Sequence, residues 1–466
     1  MGCWILQSKK IVLFILAVIL IRIVFVFLTP AGRYGDDVVY MSVAKTIALT
    51  GDIAPVQDLA TGTPFYGPPL QMWLLAFTYL ISFGNMQAWL LLSKLMESVL
   101  FFGSLLMLYK LTERSGFSDS EKIIALGFFS FFPSSISIFA SAMEDGLLTF
   151  LTLILFFLLL REKKNYAAIF AVSGLLVLTK YAGTFIVLPV ALATIFFLKD
   201  NKKTKILLLV MIISGALLIG APWYYRNGVA LGNPFYHPAG REYTMQPGAL
   251  TFNSIINVYM DIWAIPPVSS IFNKFMALNE GVIDLLRACA GLLFLPVFYV
   301  FMVTLRKFWK ELKVFVPVIA AFLFFAYVYM KLQYDWTDSR HFLPALPFLS
   351  LVLGYGARMY RTKNFQRYFL MVFIMFIGLQ LITTYVIAEN RASVLESIDS
   401  LQAEYGNYTI KTYPRSDEMP NQTFLKAFLF VYRNITTENS TYYCDKYERA
   451  DVISYCLTDN TINVYW

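Results

Sequence analysis

Apolar residues gather along this chain in long runs separated by short polar clusters. A helix needs about 20 mostly apolar residues to cross about 30 Å of hydrocarbon. Eleven runs predict such helices: roughly 11–29, 87–111, 122–142, 146–160, 166–179, 182–198, 205–222, 288–305, 313–331, 341–357 and 368–388. A twelfth candidate, 68–84, opens with Pro68-Pro69, is broken by Gln71 and has only a short apolar stretch. Lys9-Lys10 precede the first run as they would in a secretory signal. That run is longer than the about 7–15 apolar residues of a signal, so it reads as an uncleaved anchor.

The polar clusters orient the bundle. Lys9-Lys10; Lys110, Arg114 and Lys122; Arg161, Lys163 and Lys164; Lys199, Lys202, Lys203 and Lys205; Arg306, Lys307, Lys310 and Lys313; and Arg358, Arg361, Lys363 and Arg367 all fall on one face if 68–84 does not cross. Counting 68–84 as a span would put Lys9-Lys10 opposite the others. The positive-inside rule therefore makes 68–84 a helix lying along or dipping into the outer surface, with the N-terminus cytoplasmic. Four sequons, at Asn407, Asn421, Asn434 and Asn439, lie in the tail assigned to the outside, as glycosylation there requires.

Composition agrees. Length alone, 466 residues, suggests two or three soluble domains, but 58% hydrophobic, 17% aromatic and 15% charged residues do not fit that class. Soluble domains carry about 25% charge, and mean hydropathy here is +0.61. The formal charge of +8 would suggest nucleic acid in a soluble protein. Here the basic excess belongs to the inner face and marks orientation, so no nucleic-acid partner is expected. The predicted fold is an all-α polytopic membrane protein with about 11 spans and outer juxtamembrane helices. Residues 1–388 form the membrane domain and 389–466 a small extracytoplasmic C-terminal domain of α/β type. Cys444 and Cys456, close together in that external tail, are expected to pair, since so small a domain benefits from a staple. The expected location is the plasma membrane, multi-pass, with membrane lipids as partners.

The outer face holds the candidate chemistry, in loops 30–86 and 223–287 and at short turns. Tyr34-Gly35-Asp36-Asp37 follows the first span, and Glu144-Asp145 lies between spans 122–142 and 146–160. Either pair alone reads as the acidic start of a helix. Two pairs on one face, near the bilayer, are functional candidates. Arg33, Lys180, Arg226 and Arg340-His341 lie on the same face. Each alone is a snorkelling helix-end anchor; together they suit a phosphate held at the membrane surface. Arg22, and Lys94 with Glu97 one turn apart, lie within spans and are expected to pair inside the bundle. Two histidines in the whole chain leave no multi-histidine zinc site, and phosphate-loop, metalloprotease and nucleophile-elbow motifs are absent.

Gly35-Asp36-Asp37 after the first span, followed by Gly67-Pro68-Pro69-Leu70-Gln71-Met72-Trp73-Leu74-Leu75-Ala76, resembles the polytopic type C glycosyltransferases (GT-C). The closest group is that of protein O-mannosyltransferases, aminoarabinose transferases and their archaeal relatives. Glu144-Asp145, Leu178-Thr179-Lys180, Ala221-Pro222-Trp223-Tyr224-Tyr225-Arg226-Asn227 and Arg340-His341-Phe342-Leu343-Pro344 extend the likeness over about residues 10–360. Family members often carry His or Lys before the Pro-Pro, where this chain has Tyr66-Gly67.

The resemblance implies an inverting transfer of one sugar from a polyprenyl (dolichyl-type) phosphate donor to an acceptor hydroxyl on a glycan, lipid or protein. It makes Asp36 the general base and Asp37 its orienter or a metal ligand. Glu144 or Asp145 would bind sugar, acceptor or a divalent cation (Mg or Mn), so Asp37 and Glu144 are the candidate metal ligands. Lys180, Arg226, Arg340, His341 and Tyr66 complete the substrate-binding set. A transporter or flippase is the main rival, but no inverted repeat is seen and the acidic residues cluster at one surface instead of the midplane. A glycan ligase would show a larger, Arg-rich outer loop.

Overall fold

Runs of Leu, Ile, Val and Phe leave the backbone amides no partner but one another, and the observed elements are accordingly helices. The computed structural model describes residues 9–28, 36–59, 65, 67–234, 296–297, 299–324, 339–360, 364–378, 381 and 384, together with 409–412, 448–450, 453–458 and 461–465 of the tail. The chain begins with α1 (Lys9–Leu28), α2 (Asp36–Thr50), α3 (Leu70–Ile81), α4 (Met86–Arg114), α5 (Asp119–Phe131) and α6 (Pro133–Ile138). It continues through α7 (Glu144–Leu160), α8 (Tyr166–Val177), α9 (Leu188–Phe197), α10 (Lys202–Gly215) and α11 (Ala221–Leu231). After these come α12 (Val316–Phe324), α13 (Leu346–Met359) and α14 (Asn364–Gly378).

Four helical stretches among the described residues are long and apolar enough to span: α1, α4, Lys202–Leu231 and Phe342–Met359. Others are shorter because local chemistry breaks the run. The single helix predicted over 122–142 is divided at Phe132, since Pro133 has no amide to continue the ladder. α5 starts with a capping box in which the Ser118 side chain accepts from the third helical amide and Glu121 accepts from the Ser118 amide at 3.1 Å. α4 is capped by Asn85, whose side chain accepts from the Ala88 amide at 3.0 Å.

Two π turns, Gly183–Val187 before α9 and Ala216–Gly220 between α10 and α11, flank α8. Glycine permits that packing. A Cβ on Gly215 would lie 2.0 Å from the Phe170 carbonyl oxygen, and one on Gly183 would lie 2.1 Å from that of Leu176.

Apolar burial falls into two cores. The larger runs through the bundle, with Phe101, Phe128, Phe129, Phe156, Phe348 and Phe369 among its fully buried rings. The smaller lies between α2, α3 and the start of α4, where Val38, Met41, Met72, Leu75, Trp89, Leu178 and Trp223 pack. α3 buries Gln71, Met72, Leu75 and Ala76 and exposes Phe77, Leu80 and Ile81. Its 12 residues reach about 18 Å, too short to cross about 30 Å of hydrocarbon. At one end of α3 the Leu70 amide donates to the Leu178 carbonyl at 2.8 Å. At the other end Phe83 (φ 51°) and Gly84 (φ 74°) turn the chain into α4 in left-handed conformation.

Of the expected α/β tail, the described residues form a four-stranded sheet ordered β1-β4-β3-β2: β1 (Thr409–Thr412), β2 (Glu448–Ala450), β3 (Ile453–Thr458) and β4 (Thr461–Tyr465). β1 runs parallel to β4, and the other pairs are antiparallel. The expected domain boundary at 388/389 falls outside the described residues.

Candidate active site

Glu144 and Asp145 are the first two residues of α7, where the exposed amides of a helix start favour negative charge. Both are buried, Glu144 at 6% and Asp145 at 1% exposure, so they need a cation. Lys180 supplies it, with Nζ at 3.2 Å from Glu144 Oε1 and 2.8 Å from Asp145 Oδ1. The lysine is delivered by the end of α8, which starts at an Asn165 side-chain cap and stops at Val177. The glycine contacts that seat α8 between the two π turns thus position Lys180 as well.

The first acidic pair opens α2. Asp36 is its first residue, and Asp37 is 1% exposed with Oδ1 accepting the Val38 amide at 3.0 Å. Tyr40, one turn further along α2, hydrogen-bonds Glu144 and so joins the two acidic segments. Lys94 of α4 donates to the Val26 carbonyl at 3.0 Å, and the Asp37 carboxylate acts on its charge. Tyr181 and Tyr224 stand 6.0 Å apart and both feel Glu144; burial, first of all, holds the Tyr181 phenol above its ordinary range. Thr184 Oγ1 and Tyr224 Oη are 2.8 Å apart.

Below this, in the bundle, the Gln71 amide donates to Glu97 Oε1 at 2.6 Å, and Arg22 donates to the Ile136 carbonyl at 2.8 Å. The guanidinium of Arg22 lies over the Phe101 ring at 4.8 Å.

Arg226 is engaged by groups of the chain itself. Its Nη1 donates to the Phe65 carbonyl at 2.8 Å and to Asn227 Oδ1 at 2.9 Å, and its Nη2 to the carbonyls of Ala54 at 2.8 Å and Pro55 at 2.6 Å. It also covers the Trp223 ring at 4.9 Å. Trp73 Nε1 donates to the Ile53 carbonyl at 2.8 Å, and the hydroxyls of Ser42 and Thr46 donate to the buried Asp58 at 2.9 and 2.8 Å. The segment after α2 is therefore tied to α2, α3 and α11. Lys45 is buried on the same stretch of α2, and burial lowers its amine to about 8.

The expected residues divide accordingly. Glu144, Asp145 and Lys180 form one ion-paired cluster, Tyr40 joins α2 to it, and Asp37 of the same helix acts on Lys94. Arg340 and His341 belong to the 3-10 turn Ser339–Ala345, which packs against α6 and α7. Tyr66, Cys444, Asn407, Asn421, Asn434 and Asn439 lie outside the described residues; Cys456 sits in β3 opposite Asn463. Among the described residues no three His, Cys, Asp or Glu side chains gather as a cation would require. The carboxylates proposed for Mg or Mn already face lysines of the chain, which makes them a poor fit for a divalent ion. Tyr40 escaped the sequence reading, although its spacing from Asp36 and Asp37 puts it on the same helical face. Gln71 escaped it as well, read only as a break in an apolar run.

No protein-family model and no curated protein matches the chain. Solved structures do. ArnT from Cupriavidus metallidurans, an aminoarabinose transferase, superposes in its apo state with a TM-score of 0.58 at 13% identity, covering 92% of this chain and 84% of that one. The same protein bound to undecaprenyl phosphate superposes with a TM-score of 0.56 at 14% identity, over 92% and 86% of the two chains. The archaeal oligosaccharyltransferase AglB from Archaeoglobus fulgidus, in complex with an inhibitory peptide and a dolichol-phosphate, matches at 0.47 and 14%, over 96% of this chain and 62% of its own. The chain therefore shares the fold of ArnT, a mostly helical fold with several apolar helices.

Proposed function

We propose that this chain transfers a single sugar from a polyprenyl (dolichyl-type) phosphate to an acceptor hydroxyl on the outer face of the membrane. The observation that carries the reading is the contact of Tyr40 with Glu144, which brings the helix opened by Asp36-Asp37 onto the Glu144–Lys180–Asp145 cluster. Support comes also from ArnT, whose structure of like fold is described bound to undecaprenyl phosphate.

The chemistry follows from what such a transfer demands. An acceptor hydroxyl is a poor nucleophile until a carboxylate takes its proton, and Asp36 is the base we assign. The acceptor oxygen attacks the anomeric carbon from the face opposite the phosphate. The bond from that carbon to the phosphate oxygen breaks, the configuration inverts, and polyprenyl phosphate leaves. A phosphate needs no general acid on departure, only fixed positive charge, which Lys180 and Arg340 would supply. Lys180 is held in advance by Glu144 and Asp145, so it need not be reorganised as charge develops. Arg226, engaged with three carbonyls and an amide, shapes the wall of the site instead. Asp37, Glu144, Asp145, Tyr66 and His341 complete the proposed substrate contacts. Mannose-type hexoses are the class of sugar we favour.

Substituting Asp36→Asn is expected to abolish transfer from a polyprenyl phosphate sugar while expression and unfolding temperature stay at wild-type values. Transfer surviving at near wild-type rate would sink the assignment of the base.

A further inference from the structure

Behind Asp145 lies a group of buried polar atoms that the transfer chemistry does not use. Arg22 is 4% exposed, Gln71 and Glu97 are 0% and Asp145 is 1%. Each keeps polar atoms without a hydrogen-bond partner among the described residues: Arg22 Nε and Nη2, Gln71 Oε1, Glu97 Oε2 and Asp145 Oδ2. Leaving such an atom dry costs about 1–3 kcal/mol, and here they occur together in an apolar bundle.

Local geometry shows that they form one neighbourhood. Gln71 bonds Glu97 at 2.6 Å. Glu97 Oε2 lies where a side chain on Gly146 would begin, 2.7 Å from the position of a Cβ, and Gly146 follows Asp145 directly. The Phe139 ring lies 3.0 Å from that same Cβ position and 5.8 Å beneath the Arg22 guanidinium. The atoms are also complementary. Arg22 offers two N–H groups along one edge of its guanidinium, and the other three residues offer carboxylate and amide oxygens. A metal ion would suit the oxygens but not the guanidinium edge. Water suits both, since it donates and accepts and makes two to four bonds in such places.

We infer that Arg22, Glu97 and Gln71 form a water-bridged polar shell behind Asp145, and that they act as positioning residues which fix the Asp145 carboxylate and, through it, Lys180. The functional part of this inference rests on the proposed role of Lys180 in holding a prenyl phosphate. α1, α3, α4 and α7 each contribute one member, so the shell also sets how these four helices meet. Gly146 is required because any side chain there would displace Glu97.

The test uses the full-length protein in lipid nanodiscs and two readouts. One is thermal unfolding of Arg22→Met, Asp145→Asn and the double variant. If the shell couples the two residues, the double variant melts no lower than the poorer single one; additive losses would overturn the coupling. The other is binding of dolichyl monophosphate by Glu97→Gln, which keeps the shape but places a donor where an acceptor stood. Affinity is expected to fall about tenfold, a coupling of ordinary size between linked sites, with unfolding temperature nearly unchanged. Unchanged affinity would overturn the positioning role. Should Arg22→Met not fold, Arg22→Lys keeps the charge, removes the two-donor edge and takes its place in the cycle. Wild-type protein that fails to bind dolichyl monophosphate would refute the proposed function, while the unfolding cycle would still decide the shell.

Discussion

A single lysine, Lys180, lies against two adjacent buried carboxylates, Glu144 and Asp145. Its removal does more than delete two ion pairs, because the carboxylates then face each other without compensation. Lys180→Met is expected to destabilise the protein by about 3–5 kcal/mol, the usual result of breaking a buried pair, and thermal unfolding in nanodiscs reads it. A variant as stable as the wild type would show that the carboxylates are solvated. Lys45 gives a second expectation. Its amine is lowered by burial to about 8 in the folded chain, against about 10.4 when exposed. Between those values the unfolded chain binds the extra proton, so folding stability gains from Lys45 as pH rises from about 8 to about 10.4. Below pH 8 both states are charged and the cost of burying the ammonium is paid in full. The stability of Lys45→Met relative to wild type is therefore expected to decline from pH 7 to pH 10. A constant difference across that interval would mean that the amine titrates normally.

The elements were the most legible part of the sequence, because a run of about 20 apolar residues has few alternatives to a membrane helix. Where the reading failed, the apolar run continued through a local break. Pro133 ends α5 inside a run that hydropathy treats as one span. The π turns at 183–187 and 216–220 leave composition untouched while changing the register of each helix. Gly174, Gly183, Gly215 and Gly220 are traces of that packing in the sequence, and they show in it only once the neighbouring atoms are known. Gly215→Ala would push a methyl group against the Phe170 carbonyl, a backbone atom that cannot rotate away. A loss of about 1–3 kcal/mol is expected, typical of overpacking. Gly378→Ala, which meets nothing within 4 Å among the described residues, is the control and should be close to neutral. Equal effects of the two substitutions would remove the close approach of α8 and α10 from the account.

Across the whole molecule, the grouping of Glu144, Asp145 and Lys180 was legible because the topology set all three on one face. The tie from Tyr40 to Glu144 was not, since no sequence pattern records which helices meet. The role of Arg226 was hidden for a related reason: its partners are mostly main-chain carbonyls, which every residue possesses. Orientation can be checked directly. In a eukaryotic secretory host, Asn407, Asn421, Asn434 and Asn439 are expected to acquire glycans that peptide N-glycosidase removes. A tail that remains unmodified and resists protease added to intact cells would reverse the topology. The bond from the Leu70 amide to the Leu178 carbonyl has a mechanical consequence. It fastens α3 to the bundle two residues before Lys180, while the far end of α3 turns into α4 through the left-handed pair Phe83-Gly84. α3 is thus anchored beside the charged cluster as well as along α4, where Trp89 Nε1 donates to the Leu75 carbonyl at 3.0 Å, so a displacement of α3 is expected to reach the lysine.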